Sequence, residues 1–191
     1  MSSPRIIAGK ARGFKLHSVP GSITRPITDR VKEALFNILG ADLEDASFLD
    51  LFGGTGSVGI EALSRGAGFV RFIDVHRDAI NAIKTNLAHT HLEENAEVLR
   101  LDAFVFLKQP ADRSFQYIFI APPQYKGLWL KTLQTLDYNP TWISEDAWVI
   151  VQIDPVEYQE QIFKRFREFD QRRYGSTLLL FYEPMPVENR I

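Results

Sequence analysis

The pattern of this sequence predicts an α/β protein: a doubly wound, mostly parallel seven-stranded sheet preceded by a small basic β-hairpin. Three observations carry that prediction. From residue 47 short apolar runs alternate with amphipathic stretches, a glycine-rich turn joins the first run to the first helix, and the last two β-prone runs are separated by little more than Gly175-Ser176. Strands joined through crossover helices lie parallel, with helices on both faces of the sheet. A link of two residues cannot make a crossover, so the final two strands pair antiparallel at an edge.

Taken in order, Arg5 to Ala8 and Phe14 to His17 are β-prone and separated by Gly-Lys-Ala-Arg-Gly, which reads as a hairpin exposing Lys10 and Arg12 at its tip. Residues 1–24 are accordingly read as a basic arm and residues 25–191 as the main domain. After a loop at Pro20 and Gly21, Thr28 or Asp29 caps a helix through about Leu39, with Val31, Leu35, Ile38 and Leu39 on one face. Ser47 to Phe52 is the first strand, Ser57 to Arg65 a helix closed by Gly66, and Phe69 to Ile73 the second strand. Arg77 to Ala88 repeats apolar residues at helical spacing through Ala79, Ile80, Ile83 and Leu87. Ala96 to Leu101 is the third strand, Ala103 to Lys108 a short helix, Phe115 to Ile120 the fourth strand and Gly127 to Leu136 a helix. Ala147 to Ile153 is the fifth strand, a helix is expected from Pro155 to Arg167, and two strands follow near Phe169 to Tyr174 and Thr177 to Tyr182.

Composition narrows the function classes. With no cysteine, the 191 residues exclude a disulfide framework, a thiolate zinc site and a cysteine nucleophile. No run of eighteen apolar residues and no apolar leader stretch is present, so a cytoplasmic protein without a membrane span is expected. The net charge of −2 hides an asymmetry: residues 1–32 hold seven basic residues and one acid, a local +6 that leaves −8 on the rest. A basic end on an acidic body suits a phosphate backbone.

The turn Asp50-Leu-Phe-Gly-Gly-Thr-Gly-Ser-Val-Gly59 satisfies G-x-G-x-x-G at Gly54, Gly56 and Gly59, and Asp74 ends the second strand twenty residues after Gly54. Glycines let the backbone turn sharply beside a ligand, and an acid at the end of the second strand accepts from ribose hydroxyls. That spacing serves NAD as well as S-adenosylmethionine. Three features favour the latter. Asp50, just ahead of the loop, suits a cationic amino-acid tail rather than a pyrophosphate, which seeks unopposed amide donors. Asp102-Ala103 follows the third strand, where an acid can meet an adenine amino group. Ala121-Pro122-Pro123 follows the fourth strand at the sheet's carboxyl edge, where ligands bind in open α/β folds. The cofactor-binding set expected is therefore Asp50, Gly53, Gly54, Gly56, Asp74, Asp102 and Ala103. A nicotinamide-dependent reductase has only the glycine pattern in its favour, with no proton donor placed near the loop.

With these residues, the chain resembles the bacterial family that methylates N2 of a guanine in 16S ribosomal RNA. The likeness spans nearly the whole length. It is carried by Arg5-Ile-Ile-Ala-Gly-Lys-Ala-Arg-Gly-Phe-Lys-Leu16, Thr24-Arg-Pro-Ile-Thr-Asp-Arg-Val-Lys-Glu-Ala-Leu-Phe-Asn37, the glycine loop from Asp50, and Gly59-Ile-Glu-Ala-Leu-Ser-Arg-Gly-Ala67. The resemblance implies a class I S-adenosylmethionine-dependent methyltransferase fold, S-adenosylmethionine as donor, and 16S rRNA within a small-subunit particle as substrate, worked on by a monomer. It also implies RNA contacts from Lys10 and Arg12 and substrate-side roles for Arg25, Asp29 and Arg30.

One departure stands out. Families that methylate exocyclic amines resemble one another in an acid or amide, two prolines and an aromatic after the fourth strand. Here the order is Ala121-Pro122-Pro123-Gln124-Tyr125, with alanine in the acid's place and the aromatic one residue late. The acid's role is to accept a hydrogen bond from an amine whose lone pair is delocalised into the ring, while the aromatic stacks on the flipped base. Two readings stay open. In one, Gln124 and the carbonyls of Ala121 and Pro122 supply acceptors and Tyr125 stacks; in the other, the chain is a non-catalytic RNA-binding or assembly factor that keeps the cofactor pocket.

The remaining residues suggest less. His17, His76, His89 and His91 have no metal-ligand company, so no metal site is expected. Glu61 serves either the family motif or a salt bridge to the arm. Arg165, Arg167, Arg172 and Arg173 read as a solvated helix face or a second RNA contact, and Trp129, Trp142 and Trp148 as packing aromatics.

Overall fold

The structure, a computed structural model, describes residues 3–19 and 27–186. It divides into two compact units, Met1–Asp102 and Ala103–Ile191.

In the first unit, α1 (Asp29–Leu39) starts at Thr28, whose hydroxyl accepts from the Val31 amide, so the expected cap is in place. Its buried face is Val31, Lys32, Leu35, Phe36 and Leu39, while Ile38 is only half-buried. Then come β1 (Ser47–Leu51), α2 (Ser57–Ser64), β2 (Phe69–Asp74), α3 (Arg77–Thr90) and β3 (Ala96–Arg100). The three strands are parallel, with Leu51 beside Ile73 and Asp74 beside Arg100, so their carboxyl ends finish level along one edge. β1 and β2 are buried almost throughout, as strands covered on both faces must be. Helix α2 lies close on β2 because Gly59 has no side chain. A Cβ there would stand 2.3 Å from Phe72 Cε1 and 2.9 Å from Val70 Cγ1. Gly59→Ala is therefore expected to lower the unfolding free energy by about 1–3 kcal/mol through overpacking, read by urea denaturation.

The arm is a narrow hairpin rather than two full strands. One antiparallel bridge joins Arg5 to Lys15, and the Ile6 amide donates to the Phe14 carbonyl at 2.9 Å. Ile6, Ala11 and Leu16 are buried, so the hairpin is docked, while Lys10 and Arg12 at its tip are exposed as expected. Docking is tight at Gly9, where φ is +82° and a Cβ would fall 1.8 Å from the Ser64 carbonyl oxygen.

The second unit contains α4 (Ala103–Leu107), β4 (Phe115–Ile120), α5 (Leu128–Tyr138), β5 (Ile143–Ile153), β6 (Phe166–Tyr174) and β7 (Thr177–Pro184). β5 is parallel to β4 and antiparallel to β7, and β6 closes the edge antiparallel to β7. The strand order β3-β2-β1-β4-β5-β7-β6 is the mostly parallel seven-stranded sheet with an antiparallel edge hairpin that the sequence predicts. Trp129 and Trp142 are buried, and Trp148 packs against the rings of Tyr117, Phe169 and Phe181. No helix among the described residues is long and apolar enough to cross a membrane.

One element differs. The helix expected from Pro155 to Arg167 is a single 3-10 turn, Pro155–Glu157, followed by irregular chain and then β6. A helix needs a continuous apolar stripe, and Gln159 and Glu160 interrupt this one; Val156 and Ile162 are 79% and 90% exposed. The segment is held from outside instead. The Asp137 carboxylate accepts from the amides of Lys164 and Arg165 at 3.1 and 2.8 Å, and Phe163 and Phe166 stack with centroids 4.5 Å apart. Arg167, Arg172 and Arg173 thus lie on a strand rather than a helix face, with Arg167 paired to Glu183 and Arg172 to Asp170.

Candidate functional site

Within the first unit the ends of β1, β2 and β3 bring together most residues expected to hold a cofactor. Immediately after β1 the backbone enters the left-handed region at Phe52 (φ 67°), Gly54 (φ 57°) and Gly56 (φ 76°). Phe52 pays for that conformation, since its Cβ crowds the following carbonyl, and strain of this kind collects at functional loops. A phenylalanine carries no local signal of such a conformation.

Four amides of the glycine-rich turn are consumed internally. Gly53 donates to the Ile73 carbonyl at 2.9 Å and Gly56 to the Gly53 carbonyl at 2.7 Å. Gly54 donates to Asp74 Oδ2 at 3.0 Å, and Gly59 to Asp50 Oδ2 at 3.1 Å. These are four of the donors that a pyrophosphate seated on the loop would need. Two of them already serve carboxylates, which makes this edge acidic and favours a cation with hydroxyl and amino donors.

Asp50 is 2% exposed, and burial pushes its carboxyl up from 3.8 to about 8; the Gly59 bond opposes the shift and the Asp74 charge adds to it. Asp74 also accepts from the His76 amide at 2.8 Å, so its two oxygens brace both the glycine loop and the start of α3. Leu101 donates to the Asp74 carbonyl at 3.0 Å, bringing half-buried Asp102 to the neighbouring strand end, and Ala103 follows as the first residue of α4. His76 is exposed at that helix start.

Behind this edge lies a buried network that sequence reasoning only half found. The fully buried Glu61 carboxylate accepts from the amides of Ile7 and Ala8 at 2.8 and 3.0 Å and from Arg65 Nε at 2.8 Å, and it lies 3.4 Å from the equally buried Lys32 ammonium. Lys32 also donates to the Arg5 carbonyl and the Ser57 hydroxyl. Glu61 is therefore the clamp on the arm. Ser64 Oγ joins in, accepting from the Ala11 amide at 2.9 Å. Asn86, also buried, exchanges two hydrogen bonds with His17 and donates to the Thr55 carbonyl at 2.9 Å, tying the arm's end to the glycine loop. Lys32 carried a signal, a lysine in register with the apolar face of α1; Asn86 carried none.

Of the substrate-side residues, Lys10, Arg12 and Arg30 are exposed, and Asp29 pairs with Arg5 at 2.6 Å on the surface. Arg25 lies outside the described residues. Phe14, His17 and His89 form a ring cluster, Phe14 to His89 at 5.2 Å and His17 to His89 at 5.7 Å. Among the described residues no group of His, Cys, Asp or Glu could hold a metal ion.

In the second unit Ala121-Pro122-Pro123-Gln124-Tyr125 leaves the carboxyl end of β4. Pro122 is buried, Ala121, Pro123 and Gln124 are half-buried, and Tyr125 is 68% exposed at φ 62°. Two acids that the sequence reading passed over pin Tyr125: Glu157 Oε1 accepts its amide at 2.7 Å, and Asp154 Oδ2 accepts its hydroxyl at 2.9 Å. Tyr125 is thus fixed at both its backbone and its phenol hydroxyl.

The family model described as conserved hypothetical protein 95 matches residues 4–183. The Bacillus subtilis (strain 168) protein YlbH is 41% identical over 161 residues, covering 83% of this chain and 87% of its own. The ribosomal RNA small subunit methyltransferase D of Escherichia coli (strain K12) is 38% identical over 148 residues, covering 78% and 73%. The solved structure of the Escherichia coli protein yhhF superposes with a TM-score of 0.84 at 34% identity, covering 94% of this chain and 97% of that one. A model match over nearly the whole chain, joined by relatives of this identity, places the chain in the conserved hypothetical protein 95 family, the family of the small-subunit ribosomal RNA methyltransferase D proteins.

Proposed function

We propose that this protein is a methyltransferase that uses S-adenosylmethionine to methylate N2 of a guanine in 16S ribosomal RNA. The carrying observation is the acidic glycine loop, four of whose amides are already bonded. With the Gly53, Gly54, Gly56 and Gly59 amides already bonded, the loop favours a cationic nucleoside over a dinucleotide pyrophosphate. Its three carboxylates match the cofactor's donors: Asp74 for the ribose hydroxyls, Asp102 with Ala103 for the adenine, and Asp50 for the cationic amino-acid end. When bound, the cofactor supplies an electrophilic methyl group on a sulfonium sulfur.

The chain's own residues do the rest. Lys10 and Arg12, on a hairpin clamped by Glu61 and Ser64, meet the RNA backbone, and Arg25, Asp29 and Arg30 serve the substrate side as well; rigid docking lets charge at the tip set position as well as affinity. Pro122, Pro123 and Gln124 shape the acceptor loop and Tyr125 stacks on the base. The relatives named for small-subunit RNA support the same substrate. The protein works as a monomer in the cytoplasm on a small-subunit particle, with residues 1–24 as its RNA arm and residues 25–191 as the catalytic domain.

The test is incubation with S-adenosylmethionine labelled in its methyl group and unmodified small subunits, followed by nucleoside digestion. N2-methylguanosine carrying the label is expected. Cofactor binding by calorimetry without label in the RNA would identify a non-catalytic binding factor instead.

A further inference from the structure

An exocyclic guanine amine offers little lone-pair density, so its N–H bonds must be held by acceptors that aim nitrogen at the methyl carbon. Guanine presents N1–H and the N2 amino group side by side, an edge that a carboxylate matches well. Ala121 has no side-chain acceptor to give. Among the described residues, however, two buried side-chain oxygens have no hydrogen-bond partner: Gln152 Oε1 and Glu157 Oε2. A buried acceptor left unmade costs about 1–3 kcal/mol, and more when charged, so two only five positions apart call for an explanation.

Glu157 lies at Tyr125 itself, and Gln152 stands on the strand that leads to it. Glu157 uses its other oxygen to hold the Tyr125 amide. Gln152 is the penultimate residue of β5, and two positions on, at strand spacing and hence on the same face, Asp154 grips the Tyr125 hydroxyl. The 3-10 turn that stands where the expected helix would begin is what delivers Glu157. The 3-10 turn Pro155–Glu157, capped by Asp154, turns Glu157 back towards the loop after β4.

We propose that Glu157, assisted by Gln152, is the hydrogen-bond acceptor for the guanine amine, a catalytic role supplied from the end of β5 in place of the loop after β4. The inference rests on the methyl-transfer reading. In the transfer, N2 forms a bond to the methyl carbon as the methyl–sulfur bond breaks with its electron pair passing to sulfur. The positive charge moves to the amine, and one amine proton then leaves to the Glu157 carboxylate and on to water.

The experiment measures methyl transfer to unmodified small subunits by the full chain, the Glu157→Gln variant, and Glu157→Gln combined with Ala121→Asp. Glutamine keeps an oxygen for the Tyr125 amide but turns an NH2 donor on the base. The expected result is a loss on the order of 100-fold in kcat for Glu157→Gln, with KM for S-adenosylmethionine and the melting temperature unchanged. Ala121→Asp should then return at least a tenfold gain, because an acid after β4 restores an acceptor for the amine. Turnover by Glu157→Gln within about threefold of wild type overturns the proposal, as does a loss that Ala121→Asp leaves untouched. Failure of the wild-type chain to label the particle overturns the functional reading itself.

Discussion

Glu61→Ala is expected to destabilise the protein by about 3–5 kcal/mol, the cost of stranding one member of a buried ion pair. The removed carboxylate compensates Lys32, which is wholly buried, and closes the Ile7 and Ala8 amides of the arm. Burial already holds the Lys32 ammonium below its ordinary value, and Glu61 is the main opposing influence. Without Glu61 the lysine sheds its proton more readily. A lysine with a depressed folded value binds fewer protons folded than unfolded, so stability rises with pH across the window below 10.5. Urea denaturation across that range should therefore show a steeper rise for Glu61→Ala than for wild type. The pair Lys32→Met with Glu61→Gln should recover much of the loss, since it leaves no buried charge and keeps an oxygen for the arm's amides. RNA affinity should fall with Glu61→Ala even at temperatures where the fold survives, because Lys10 and Arg12 lose their anchored base.

Asp50→Asn is expected to weaken S-adenosylmethionine binding by about 10- to 100-fold, the worth of a hydrogen bond to a charged group. It should also change the pH dependence of both binding and stability. The Asp50 carboxyl titrates near 8 when folded and near 3.8 when unfolded. The folded protein therefore holds the proton more tightly, and stability that is present below pH 4 is lost progressively as pH rises through 8. Asparagine carries no proton to lose, so the variant's unfolding midpoint should gain on wild type through that interval and hold its lead above it. Cofactor binding runs the opposite way. A cationic ligand binds the ionised form, so wild-type affinity should climb by up to tenfold per pH unit from 6 to 8 and release a proton, while the variant stays flat. Calorimetry in buffers of different ionisation heat reads both the affinity and the proton. A wild-type affinity independent of pH would place the cationic end of the cofactor away from Asp50.

The sequence by itself determined the sheet, its parallel order and edge hairpin, the glycine loop and its three acids, and the basic arm. These are legible because strand and helix periods, turn glycines and net charge are local properties. Gly59 could be named from spacing, for example, and the 2.3 Å approach of Phe72 only supplies its reason. Only the tertiary structure decided which partners are non-local. Lys32 meets Glu61 across 29 positions, Asn86 meets His17 across 69, and Glu157 meets Tyr125 across 32. It also decided that residues 155–167 form no α-helix, because Asp137 takes donors that an α-helix would have used. Local pattern sets the backbone's preferences, but a buried polar group is satisfied by whichever chain segment folding brings beside it, and that choice has no signature at short range.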